Sequence, residues 1–250
     1  MANAVHVIVF AKAPVAGLAK TRLIPALAAT GAARLAASML KHAVVQALAS
    51  GVGTVEVCVT PAPQDPTWSG LLPHHAALSL SDQGQGDLGE RMARAAQRAL
   101  DAGRPVLLMG TDCPDLSAER IRMAAEALLT NDAALVPAFD GGYVLLALKR
   151  FDVSLFQDIA WSTSSVAQVT QSRINQLGWR LATLPTLHAV DEPDDLSRLP
   201  AGWLAAAEAP LQQGPASQAE CGGQTLLQER ITTAVGKPKS SGPRTSLRRL

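Results

Sequence analysis

Three short segments hold side chains able to do chemistry on a charged ligand. Residues 10–23, FAKAPVAGLAKTRL, gather Lys12, Lys20 and Arg22 around a turn that contains Pro14 and Gly17. Backbone amides in such a turn can cradle phosphate oxygens while the cations neutralise them. The pattern is neither G-x-x-x-x-G-K-[ST] nor G-x-G-x-x-G, and a plain basic surface loop has the same composition. Residues 110–116, GTDCPDL, carry an apolar strand straight into an acidic turn. Asp112, at the carboxyl end of that strand, is placed to hold a divalent cation through oxygen. Asp115 suits a second ligand or a helix cap. Residues 190–196, VDEPDDL, repeat the arrangement after an extended stretch. A Mg²⁺ or Mn²⁺ on a diphosphate takes one or two carboxylates plus phosphate oxygens and water, and Asp191 is the candidate second carboxylate. Asp194 and Asp195 suit the start of the following short helix, where the dipole favours acids.

Three further segments have a bland and a sharper reading. Gly86, Asp87 and Leu88 stand at a loop-to-helix junction, where a flat ring or a ribose could approach the backbone. The run Asp140-Gly141-Gly142-Tyr143 reads as a hairpin turn. Trp161-Ser162-Thr163 reads as the approach to a helix N-cap. Taken singly, each is a structural feature.

The elements that must position these residues alternate. Residues 5–10 form a short β-branched run that reads as a buried strand. Residues 32–49 are Ala/Leu-rich and helical. Strands are expected at 52–60, 76–80, 105–109, 133–137, 143–148 and 179–187. Helices are expected at 88–100, 117–129, 165–177 and 193–199, with Ser117 as an N-cap lacking a capping box because Arg120 follows three residues on. Strands alternating with helices of this length mean crossover connections and a mostly parallel sheet in an α/β domain. Such sheets bind ligands beyond the carboxyl ends of their strands, where the loops at 10–23, 110–116 and 190–196 fall.

Composition narrows the partners. Of the 250 residues 48% are apolar, enough for a large core. Twenty-two bases against 21 acids give a net charge of +1, unlike the strongly basic face of a nucleic-acid binder. No apolar run of the length needed to span a bilayer is expected, nor a basic leader, which points to a cytoplasmic protein. Three scattered cysteines, Cys58, Cys113 and Cys221, suggest neither a disulfide framework nor a zinc cluster, and the five histidines lack metal-site spacing. Residues 1–202 are read as one domain, and 203–250 as an Ala/Gln/Gly/Pro-rich extension that is partly disordered. An isolated helix is conceivable at 225–233. Residues 236–250 carry five cations and no acid, so 1–235, with 17 bases against 21 acids, has a net charge of −4. The tail reads as a solvated segment, with a weak anionic tether as the alternative.

In order along the chain, six motifs carry a resemblance: Lys20-Thr21-Arg22-Leu23, residues 86–92 (GDLGERM), 110–114 (GTDCP), 137–143 (PAFDGGY), Trp161-Ser162-Thr163 and 191–196 (DEPDDL). Together they resemble the nucleotide-diphospho-sugar transferase (GT-A-like, Rossmann-like) fold. More closely they resemble a bacterial family of small transferases described as radical-SAM/selenodomain-associated or arsenosugar-type glycosyltransferases. The match covers about residues 4–200. It implies a three-layer sandwich in which Lys12, Gly17, Lys20 and Arg22 bind nucleotide phosphates and Thr111 also binds the nucleotide. It also implies that Gly86, Asp87 and Leu88 lie near base or ribose, and that Asp112 and Asp191 hold the metal. Asp140, Gly141, Gly142 and Tyr143 would face sugar or acceptor, with Trp161 nearby. One departure is that family members often read Asp-x-Asp-Thr-Pro before the last helix, whereas this chain reads Ala189-Val190-Asp191-Glu192-Pro193.

The implied chemistry is metal-dependent glycosyl transfer from a nucleotide sugar to a small-molecule acceptor. Asp112 and Asp191 would hold Mg²⁺ or Mn²⁺, Lys20 and Arg22 would meet the negative charge developing on the leaving diphosphate, and Asp140 would serve as base if the reaction inverts. One alternative is nucleotidyl transfer from a nucleoside triphosphate to a phosphorylated acceptor, since the opening loop also looks like that of guanylyltransferases. A further alternative is a non-catalytic nucleotide-binding module.

Overall fold

A computed structural model describes residues 4–208. Seven strands form one sheet: β1 (Val5–Lys12), β2 (Gly53–Thr60), β3 (Leu78–Asp82), β4 (Val106–Met109), β5 (Ala133–Pro137), β6 (Tyr143–Leu148) and β7 (Leu181–Thr183). Their order is β3-β2-β1-β4-β6-β5-β7. β1, β2, β3 and β4 run parallel, β5 runs parallel to β7, and β6 is antiparallel to both of its neighbours. The expected α/β class with a mostly parallel sheet is what forms. The short Asp140 turn accounts for the one reversed strand, because a tight turn can join only antiparallel neighbours.

Helices cover both faces: α1 (Ile24–Ser50), α2 (Leu88–Asp101), α3 (Ala118–Ala127), α4 (Val166–Gln176) and α5 (Trp203–Glu208). Alternation along each strand feeds two cores. Val7, Val9, Leu107, Met109, Leu145 and Ala147 pack with Ala43 and Ala47 of α1 and Ile121 and Ala124 of α3. Ile8, Val106, Leu108, Leu146 and Leu148 pack with Met92 and Ala96 of α2 and Ala167 and Ile174 of α4. The result is the three-layer sandwich. The central strands carry runs of apolar residues because both of their faces are covered.

α1 begins eight residues earlier than the composition predicts. A 3-10 turn at Thr21–Leu23 leads into it, Pro25 sits in its first turn, and Gly51 caps its end with φ 65°. Ala28 interrupts it with φ 55°, ψ 169°, a break that nothing in the Ala-rich sequence marks. With its leading turn, this helix is long and apolar enough by composition to cross a membrane, which corrects the expectation that no such stretch exists. Its buried residues are committed to the sheet, to α3 and to α5.

Residues 203–208 were expected in the extension. They instead form α5, whose Ala207 is buried with Leu27, Ala32 and Leu35 of α1, while Arg34 donates two hydrogen bonds to the Ala207 carbonyl. The readings for 209–250, including the helix at 225–233, lie outside the described residues.

One polar cluster lies within the α2-side layer. His6 Nε2 bonds Glu56 Oε2 at 2.9 Å and His6 Nδ1 meets Thr54 Oγ1 at 2.7 Å. Arg98 of α2 and Ser81 of β3 both donate to Glu56 Oε1. Sharing the carboxylate among these donors is what lets Glu56 stay buried.

Candidate functional site

The parallel strands place the ends of β1, β4, β5 and β7 on one edge of the sheet, so the loops at 13–20, 110–117, 138–142 and 184–192 meet there. The Val190 amide donates to the Asp112 carbonyl at 2.8 Å, which splices the loop after β7 onto the loop after β4. The Phe139 amide does the same to Leu187 at 3.1 Å. These bonds fix where the two acidic segments point.

At their junction lies Lys20. Its Nζ is 2.8 Å from Asp112 Oδ1 and 2.6 Å from Asp191 Oδ1, and it donates to the Val190 carbonyl at 2.7 Å. The lysine side chain is 9% exposed, against 44% and 38% for the two aspartates, so the ammonium is the covered member of the cluster. Burial alone would pull the Lys20 pKa down, but the two carboxylates outweigh that and hold it above its ordinary value. Lys20 also adopts a left-handed backbone, φ 47° and ψ 47°. For a residue with a Cβ this costs on the order of 1–2 kcal/mol, so the surrounding contacts must enforce it.

The acids are themselves held. Thr111 Oγ1 lies 3.3 Å from Asp112 Oδ1. Asp195 Oδ2 accepts from the amides of Asp191 (3.0 Å) and Glu192 (2.9 Å), bracing the loop that carries Asp191. Glu192, at one of the two positions that depart from the resemblance, pairs with Arg22 at 3.2 Å, both side chains being more than half exposed.

Two carboxylates on loops that follow separate strands bring one oxygen each to the same point, which fits what a Mg²⁺ or Mn²⁺ takes from a protein. The remaining ligands of such a cation would come from phosphate and water. No third His, Cys, Asp or Glu joins them among the described residues.

The other predicted residues are held in different ways. Lys12 is exposed at the end of β1 and Gly17 (φ 80°) lies in the exposed turn that follows. Asp87 is the N-cap of α2: its carboxylate accepts from the Glu90 amide at 2.8 Å while Glu90 returns a bond to the Asp87 amide at 2.9 Å. The Asp87 carboxylate thus serves the helix end, and what Gly86, Asp87 and exposed Leu88 offer a ligand is backbone and an apolar surface. Asp140 is exposed and accepts from the Gly142 amide at 2.9 Å.

Gly141 (φ 89°) lies against the 161–165 segment, where an added Cβ would come within 2.0 Å of the Ser164 carbonyl oxygen. Gly89 lies against the same stretch, with a hypothetical Cβ 2.2 Å from the Phe156 oxygen and 2.9 Å from Trp161 Nε1. Glycine at these two sites lets backbone meet backbone. Trp161 and Tyr143 pack on the α2/α4 core. The Tyr143 hydroxyl is buried, and burial pushes its pKa up. No described hydrogen bond or ion pair brings Tyr143 or Trp161 to the Lys20 centre.

Sequence reasoning missed Gln83. Its buried amide donates to the carbonyls of Ala11 (3.1 Å) and Cys58 (2.9 Å), and Arg91 and Arg94 bond back to residues 83–86. It ties the loop before α2 to the ends of β1 and β2. A lone Gln in a polar loop gave no signal.

The profile of a bacterial family described as an uncharacterized protein conserved in bacteria (DUF2064) matches residues 42–163. Among solved structures, the chain is similar to a candidate nucleotide-diphospho-sugar transferase from Desulfovibrio desulfuricans G20. The two are 33% identical over 76% of this chain and 83% of the other, with a TM-score of 0.68. It is also similar to a 4-diphosphocytidyl-2C-methyl-D-erythritol synthase from Anaerococcus prevotii DSM 20548, at 10% identity over 78% and 96% of the chains and a TM-score of 0.50, a likeness of fold alone. No curated protein matches.

Proposed function

The chain belongs to the family of the Desulfovibrio nucleotide-diphospho-sugar transferase candidate, and from that premise we propose that it is a metal-dependent glycosyltransferase. It takes a nucleotide-diphospho-sugar donor and a small-molecule acceptor. The six ordered motifs support the narrower kinship with radical-SAM- or arsenosugar-associated transferases, and a cytoplasmic site of action goes with it. The observation that carries the reading is the convergence of Asp112 and Asp191 on one cation position at the carboxyl edge of the sheet.

In this reading Asp112 and Asp191 hold Mg²⁺ or Mn²⁺, which when bound supplies positive charge to the diphosphate leaving group. Lys20, Arg22 and Lys12, with the backbone of the turn at Gly17, bind the phosphates, and Thr111 orients Asp112. Gly86, Asp87 and Leu88 offer backbone and an apolar edge to the base or ribose. Gly141 and Gly142 shape the sugar or acceptor side, with Tyr143 and Trp161 supporting them. Asp140 is the exposed carboxylate on that side, suited to accept the proton of an acceptor hydroxyl while its other oxygen is held by the Gly142 amide.

The test is turnover of a panel of nucleotide sugars with Mn²⁺ by the parent protein and by Asp112→Ala. A loss of about a hundredfold or more is expected, the scale of removing one charge-stabilising group. Equal turnover would remove the metal role. Release of pyrophosphate from a nucleoside triphosphate, with no nucleoside diphosphate from any sugar nucleotide, would assign nucleotidyl transfer instead. Nucleotide binding without turnover or metal dependence would make it a binding module.

A further inference from the structure

We propose that the Lys20 ammonium competes with the divalent cation for Asp112 and Asp191. The free protein then takes up metal poorly, and a pyrophosphoryl group admits it by drawing the lysine away. This rests on the metal-dependent reading above.

An ammonium has three N–H donors. Lys20 donates to Asp191 Oδ1 and to the Val190 carbonyl, and its Nζ pairs with Asp112 Oδ1 at 2.8 Å. In this arrangement the ammonium is engaged with the two acids. A cation held by Asp112 and Asp191 would share with Lys20 the two carboxylates that the ammonium now contacts, and a divalent ion beside an ammonium on shared carboxylates is a like-charge contact. Lys20 and the metal therefore oppose one another there. Lysine suits the exchange: its point charge rides on a flexible four-carbon stem and can pass from carboxylate to phosphate. With the lysine on the acids, one positive charge faces two negative ones. With a divalent ion in its place the acids are neutralised and the lysine is released to the anion. Metal and diphosphate thus enter as a pair.

The experiment measures Mn²⁺ retained by the full-length protein in equilibrium dialysis, with and without inorganic pyrophosphate, for the parent and for Lys20→Met. Lys20→Gln, which keeps a donor without the charge, serves if the methionine variant does not fold, as judged by circular dichroism. Without pyrophosphate, the neutral variant is expected to bind Mn²⁺ at least tenfold more tightly than the parent. Pyrophosphate is expected to tighten Mn²⁺ binding by the parent far more than by the variant. If parent and neutral variants bind Mn²⁺ equally well without pyrophosphate, while the parent still takes Mn²⁺ with it, the competition is overturned and the metal reading stands. If no form retains Mn²⁺ under either condition, the metal reading fails and the competition falls with it.

Discussion

Lys20 and Asp191 are separated by 171 positions in the chain, yet Nζ and Oδ1 lie 2.6 Å apart. The contact closes the sheet's carboxyl edge, because Lys20 follows β1 and Asp191 follows β7, four strands away in the sheet. On the β7 side the Asp195 carboxylate braces the loop by accepting from the amides of Asp191 and Glu192.

Asp195→Ala removes the acceptor for two backbone amides. A stability loss of about 1 kcal/mol is expected, by analogy with lost helix caps. Weaker Mn²⁺ retention in the presence of pyrophosphate should accompany it, since Asp191 loses its positioning. Thermal melts and the dialysis measurement together check this, and an unchanged pair of results would sink the bracing role.

Glu56 gives a pH dependence. Burial would raise its pKa, but the bonds from His6 and Ser81 and the charge of Arg98 hold the carboxyl below its ordinary value of 4.5. A depressed folded-state pKa means its stabilising contribution is present above about 4.5 and is lost as the pH falls from there through the folded value. The parent should therefore be more stable than Glu56→Gln near neutral pH, and the gap should close as the pH falls below 4.5. Denaturant midpoints at several pH values read this directly. A gap that widens in acid would contradict the sign.

Gly141→Ala confronts a positive φ and a backbone oxygen 2.0 Å from the new carbon. A loss of at least about 2 kcal/mol is expected, because the colliding atom belongs to backbone and cannot rotate away. The thermal midpoint measures it. A change within a few tenths of a kcal/mol would mean that the 161–165 segment does not pack on the turn.

The Arg22–Glu192 pair is exposed on both sides, so breaking it should cost no more than about 1 kcal/mol. Arg22→Ala should nonetheless raise the KM for the nucleotide donor, whereas Glu192→Ala should leave it unchanged or lower it by freeing the guanidinium. Steady-state kinetics separate the two. Equal KM values in Arg22→Ala and parent would take Arg22 out of the phosphate site.

Local pattern alone was enough to read most of the elements, because apolar period and turn residues act over a few positions. The β5–β6 hairpin, the Ser117 cap and the strand starts at 133 and 143 follow from it. Pattern was weaker where Ala dominates, since Ala-rich composition marks neither the true start of α1 nor the break at Ala28, and it hid α5 in a stretch that reads as the start of an extension. The sequence by itself determined that cations and acids would gather behind strand ends. Only the tertiary structure decided that an ammonium would sit between Asp112 and Asp191, that Asp87 would be used up on a helix end, and that Gly89 and Gly141 would admit the 156–164 stretch. The reason is that strand order, a property of the whole sheet, sets which distant loops share an edge, and no short window of residues encodes it.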